Sequence, residues 1–207
     1  MPDNIMENNQ VSVVGRILTG FTYSHQVFGE KFYTMDVTIK RMSDSADCLP
    51  VLVSERLLDV KGDYVGRRIE IHGQFRSYNR HDDTRNRLIL SVFAREVRFA
   101  EEEEDELINR IFMNGYICRP AVYRRTPLGR EIADVLLAVN RPYGKSDYIP
   151  CICWGRNARY TSELEVGRHV LIWGRIQSRE YVKRLGDNGS EKRIAYEVSV
   201  NKLEYIE

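Results

Sequence analysis

The residues best suited to chemistry lie between Asp147 and Gly155, in the run Asp-Tyr-Ile-Pro-Cys-Ile-Cys-Trp-Gly. With a period of two, Ile149, Cys151 and Cys153 fall on one face, small and apolar. Tyr148, Pro150, Ile152 and Trp154 fall on the other. A strand with one buried face normally shows polar residues outside; this one shows two rings. Aromatics on the open side of a sheet form a platform for something flat, and a nucleobase is the expected occupant. The segment 168–181 repeats the pattern, with Val170, Ile172 and Ile176 on one side and Trp173, Arg175, Gln177, Arg179 and Tyr181 on the other. Guanidinium groups meet phosphates and π-faces meet unpaired bases, so the mixture suits a single strand of nucleic acid. Two basic loops extend the surface: 141–146, with Tyr143 and Lys145, and 182–190, with Lys183 and Arg184. Arg124, Arg125 and Arg156 add charge at its rim. Taken singly, each ring reads equally well as packing against a neighbouring domain, and each basic loop as a solvated hairpin tip. The set Tyr148, Trp154 and Tyr181 beside arginines is what points to binding.

The elements that must position these residues are written twice, with a period of about 100 residues. Residues 11–17 answer to 111–117, Gly29 to Gly129, 37–41 to 137–141, and 49–53 to 149–153. After one inserted residue, 66–67 match 167–168 and 69–73 match 170–174. Each copy reads as five short strands, in the second copy near 110–117, 131–140, 147–154, 168–181 and 192–200. A short helix is expected between the third and fourth strands, at 157–164 and at its counterpart 55–60. That order predicts an all-β chain of two tandem OB-folds, five-stranded Greek-key barrels. An SH3-like barrel is the alternative, but it normally lacks the helix. Gly73 and Gly174, mid-strand, mark sharply bent barrel strands. The expected domains are 9–100 and 109–207, joined by an acidic linker at 101–108 that reads as an exposed connector or as a competitor for a basic groove. In the first copy Ser54 replaces Trp154 and Cys48 replaces Tyr148, while Arg76, Tyr78 and Arg80 keep part of the outer face. A reduced aromatic platform and an assembly role are expected there.

The net charge of +1 hides an uneven distribution: residues 109–207 carry 17 basic against 11 acidic side chains, and 101–108 carry six acidic and none basic. The second copy is therefore the expected polyanion binder. No apolar run approaches a membrane span and Met1-Pro2-Asp3-Asn4 has no signal character, so a cytoplasmic location is expected. Cys151 and Cys153, two apart on one face, suit buried free thiols rather than a zinc or redox site. The four histidines are scattered, and no GxxxxGK, HExxH or GxSxG motif occurs. No enzyme activity, metal or cofactor is expected.

The quoted residues resemble a known family. Gly115, the run from Pro120 to Gly129, Leu137 to Arg141, Cys153-Trp154-Gly155, and Gly167, Val170 and Gly174-Arg175 are similar to the bacterial single-stranded DNA-binding proteins. The likeness covers the second copy and, more faintly, the first. It implies base stacking at Tyr143, Tyr148, Trp154 and Tyr181, and four OB domains per assembly, hence a homodimer. It implies roles in replication, recombination or repair, with proteins of those processes as partners, at the nucleoid. The family's acidic tail has no counterpart after the run 202–207, which suggests an accessory, phage-borne or primosomal variant. The alternatives are a primosome-like assembly module with weak DNA affinity, and a binder of single-stranded RNA.

Overall fold

The computed structural model describes residues 7–43, 45–82, 85–101, 107–184 and 189–206, with the side chains of 80–82, 85–87 and 184 excepted. The central part of the acidic linker, 102–106, lies outside the described residues. The first repeat comprises β1 (Asn9–Ile17), β2 (Thr22–Val27), β3 (Glu30–Lys40), β4 (Ala46–Ser54), β5 (Arg68–Asp82) and β6 (Arg85–Phe99). The second comprises β7 (Asn109–Ile117), β8 (Val122–Arg125), β9 (Glu131–Arg141), β10 (Lys145–Trp154), α1 (Arg156–Ser162), β11 (His169–Arg184) and β12 (Ser190–Tyr205). No helix among the described residues is long and apolar enough to cross a membrane.

Alternating apolar residues close each set of strands on itself. In the first repeat β1 pairs with β3 and β5, β3 with β4, β4 with β6 in parallel, and β6 with β5. The second repeat reproduces this with β7, β9, β10, β12 and β11. Each is a closed five-stranded barrel. Ile149, Cys151 and Cys153 are buried in the core with Val170, Ile172, Ile176 and Val198, as the period-two reading requires. The bend of the long strands is built on glycine: register shifts fall at His72/Gly73 and Trp173/Gly174. A Cβ at Gly174 would overlap the Ser199 carbonyl oxygen, and one at Gly73 that of Phe93.

Two expectations change. Each repeat has a sixth strand, β2 or β8, which forms a hairpin with β3 or β9 outside the barrel. Every residue of β2 and β8 is exposed, so no apolar alternation announces them. The second correction concerns the helix. α1 forms in the second repeat, opened by Gly155 at φ 53°, but residues 55–60 form only turns. There Ser54 Oγ accepts the Arg56 N–H at 3.1 Å and Asp59 Oδ1 accepts the Lys61 N–H at 3.0 Å. Such local side-chain acceptors compete with a helix for the backbone donors.

The barrels join through antiparallel β1 and β7, with Val11 opposite Ile111, so a single twelve-stranded sheet runs through the molecule. A pseudo-twofold passes through this pair. On one side Asp47 Oδ1 accepts the Ser178 N–H at 2.7 Å and Ser178 Oγ accepts the Cys48 N–H at 3.1 Å. On the other, Asp147 Oδ1 accepts the Ser77 N–H at 2.7 Å and Ser77 Oγ accepts the Tyr148 N–H at 2.7 Å. Each barrel thus pins the other's long strand to its own fourth-element edge.

Candidate nucleic-acid interface

β10 positions the central pair of rings. Its alternation sends Tyr148 and Trp154 out of the barrel, 41% and 38% exposed. The Trp154 indole Nε1 donates to Ser199 Oγ on β12 at 3.2 Å. Ser199 is the parallel register partner of Ile152, so this bond lays the indole back across the strand pair. Ile152 is accordingly buried although it points away from the core. Trp154 is thus anchored at its edge and open at its face, the condition a stacking platform needs.

Tyr143 stands at the other end of β10, in a single 3₁₀ turn over Pro142–Gly144. Its backbone is left-handed (φ 63°) and its side chain is 98% exposed. A bulky residue in that region stores strain, and the strain here holds a ring in solvent. Tyr181 lies on β11 opposite Arg193 and is 37% exposed. Of the rings expected to stack, Tyr143, Tyr148, Trp154 and Tyr181 are all at least partly open.

Trp173 is placed differently. It packs against Phe112 on β7, with centroids 5.2 Å apart, and Lys202 Nζ sits 4.6 Å from its ring centre. It lines an open cleft with Gln10, His72 and Arg110 at the β1–β7 junction, away from β10.

The cations divide into engaged and available. Arg124 is paired with Asp134 at 2.9 Å, and Arg125 lies 3.6 Å from Glu131. Arg175 reaches Asp47 of the other barrel at 3.3 Å and donates to Gln177 at 3.0 Å, and burial lowers its pKa. Arg179 stands 3.7 Å from Glu197 yet keeps an exposed side chain. Lys145 and Arg156 are exposed, and Lys183 is partly so. The side chains of Arg80 and Arg184 lie outside the described residues. In the first repeat Tyr78 is 51% exposed. Arg76 lies over the Phe93 ring, 4.0 Å from its centre; burial, then the nearby Arg141, lower its pKa to about 10.

The sequence reading did not foresee the acids that meet these arginines. Asp134 and Glu131 come from β9 and Glu197 from β12. Asp134 and Glu197 occupy outward positions of strands whose alternation was already legible. Ser199, the indole's anchor, carried no signal until the register of β10 against β12 was known. The thiols behave as expected: burial pushes Cys151 well up and Cys153 to about 11, so neither is a nucleophile at neutral pH.

Residues 108–206, the whole of this barrel, match the model of the single-strand binding protein family. The second repeat is a single-strand binding family domain. A single-stranded DNA-binding protein of Halalkalibacterium halodurans is 31% identical over 109 residues, covering 49% of this chain and 62% of that protein. Single-stranded DNA-binding protein A of Bacillus subtilis is 28% identical over 108 residues, 49% of this chain and 60% of its own. The chain therefore spans about three-fifths of the length of these curated relatives. The likeness in fold is wider. The wild-type single-stranded DNA binding protein from Thermus aquaticus superposes with a TM-score of 0.75 at 18% identity, covering 96% of this chain and 93% of that one. A deletion mutant of the same protein gives 0.73 at 20% identity, with 96% and 94% covered. Both OB barrels are thus accounted for by the fold, and the single-strand binding family domain is the one that carries Tyr143, Tyr148, Trp154 and Tyr181.

Proposed function

We propose that the chain binds single-stranded DNA without sequence preference, by stacking bases on Tyr143, Tyr148, Trp154 and Tyr181 and contacting phosphates through Lys145, Arg156, Arg179 and the basic 182–184 stretch. The observation that carries the reading is the pair Tyr148 and Trp154, open together on the outer face of β10. Rings without base-edge donors or acceptors stack any base, so the binding is indifferent to sequence. The single-strand binding family domain and the names of its relatives support the same chemistry. Replication, recombination and repair are the processes that expose such strands, which places the protein in the cytoplasm at the nucleoid, with proteins of those processes as partners. The protein works as a homodimer of four OB barrels; the outward Phe112–Trp173 pair at the pseudo-twofold supports a self-assembly face.

Titration with oligo-dT at low salt should quench tryptophan fluorescence, and salt should reverse the quench. Trp154→Ala should weaken binding by about 1–3 kcal/mol. Absence of any quench at low salt refutes the reading. The same open cleft also favours a second reading, an assembly module with feeble DNA affinity. A stable complex with a replication protein, together with weak oligo-dT binding, would select it. Competition between oligo-dT and oligo-rU decides between DNA and RNA, which differ for this surface only in 2′-hydroxyl contacts.

A further inference from the structure

The first repeat lacks Trp154's counterpart, but the strand register shows where the ring went. β10 pairs with β12 so that Ile152 faces Ser199; β4 pairs with β6 so that Leu52 faces Phe93. Phe93 therefore stands where Ser199 stands, and Ser54 stands where Trp154 stands. In the second repeat the aromatic is on the middle strand and the serine on its neighbour. In the first repeat the two have changed places.

The exchange has a physical consequence. A serine at 54 leaves the middle strand low, and Phe32, its register partner on β3, reaches across to Phe93. Their centroids are 6.0 Å apart with the planes at 32°. His25, exposed on β2, stacks on Phe32 at 5.1 Å and 11°. The Arg76 guanidinium lies over the Phe93 ring, 4.0 Å from its centre. His25, Phe32, Phe93 and Arg76 thus form a row of planar groups running across the sheet, with an imidazole face at one end and a guanidinium plane at the other. Both kinds of plane accept stacked bases. Glu30, the acid beside the row, is engaged by Ser54 and by Arg56 at 3.5 Å. The hairpin that carries His25 ends in Phe28, fully exposed and held at φ 47°, a strained conformation that keeps a further ring in solvent. The Arg76 end leads to the seam between the barrels: Arg141 and Asp147 act on its charge, and Ser77 beside it takes the Tyr148 N–H.

We infer that the first repeat carries its own base-stacking row, His25–Phe32–Phe93–Arg76, onto which a single strand continues from Tyr148 across the seam. The inference rests on the reading of the chain as a single-strand binder and extends it to a barrel whose outer face lacks the expected tryptophan.

The test is the length dependence of oligo-dT affinity at low salt for the full chain. Affinity should keep rising beyond the ~4–16 nucleotides that fill one OB barrel. Phe93→Ser, which restores the second repeat's residue, should flatten that rise and cost about 5- to 100-fold on long oligomers, with short-oligomer binding unchanged. Phe93→Tyr should retain the rise. His25→Ala, at an exposed position on β2, should weaken long-oligomer binding about fivefold. Cross-linking of 5-iodouracil oligomers should label peptides holding His25 or Phe32. Binding that needs Trp154 but is the same at every length in Phe93→Ser and His25→Ala overturns the inference alone. A wild-type chain that binds no oligomer overturns it together with the proposed function.

Discussion

Glu131 shows how far local charge shapes this surface. Its carboxylate meets Arg159 at 2.6 Å and the Tyr123 hydroxyl at 2.6 Å, with Arg125 at 3.6 Å. The Arg159 hydrogen bond, then that of Tyr123, holds its pKa at about 2 against an ordinary value of 4.5. A carboxylate whose pKa is lowered by folding stabilises the fold above its unfolded pKa and loses that effect as pH falls towards the folded one. Glu131→Gln should therefore lower the melting temperature at pH 7. The gap from wild type should narrow below pH 4.5 and close near pH 2, as followed by thermal denaturation across that range. Tyr143 makes the complementary point. Its φ of 63° is an expense that packing does not recover, since the ring touches almost nothing.

At the scale of single elements, the barrel depends on strand bends more than on strand propensity. β11 serves two neighbours, β7 with its first half and β12 along its length, and turns between them at the Trp173/Gly174 shift. Gly174→Ala would drive a methyl group into the Ser199 carbonyl oxygen, and main-chain atoms of a ladder cannot retreat as a side chain can. The expected loss is about 3 kcal/mol in urea denaturation. The same displacement shifts Ser199 and frees the Trp154 indole, so oligo-dT affinity should fall beyond what lost stability explains. Helix α1 is the contrasting case, because its formation in only one repeat follows from the side chains at its start. Where Gly155 opens the turn the chain winds up; where Ser54 and Asp59 capture backbone donors it does not.

For the whole molecule, the seam fixes how the two barrels sit against each other, and its two halves are unequal. Asp47, fully buried, receives Arg41 at 2.5 and 2.8 Å, Arg175 at 3.3 Å and the Ser178 N–H at 2.7 Å. Asp147, 1% exposed, has Arg141 Nε at 3.3 Å, in a geometry that leaves that nitrogen without a hydrogen bond. Burial raises the Asp147 pKa above its ordinary value, more than the Ser77 N–H lowers it. An acid whose pKa is raised on folding stabilises the fold while protonated and loses that contribution as pH rises through the shifted value. Asp47→Ala should cost about 3 kcal/mol, since it strands charged partners and a buried N–H. Asp147→Asn should be neutral or slightly stabilising at pH 7, because the amide oxygen can still accept the Ser77 N–H. Urea denaturation of the two variants side by side checks both statements. Equal losses would mean that the seam is as symmetric in energy as it is in register.

Much of this was legible in the sequence. The period of about 100 residues, the buried faces of β10 and β11, and the outward rings Tyr148, Trp154 and Tyr181 follow from alternation. Side-chain direction along a strand is a local property, and two residues are enough to define it. The amino-acid order by itself thus determined two barrels and which residues face out of them. Tertiary structure alone decided which outward residues meet. Asp134 and Glu131 neutralise arginines that looked free, Arg175 turns to Asp47 of the other barrel, and Phe93 occupies the place of Ser199. Each of these depends on the register between strands far apart in sequence. Parity cannot supply it, because shifting a strand by two residues preserves every face and changes every neighbour.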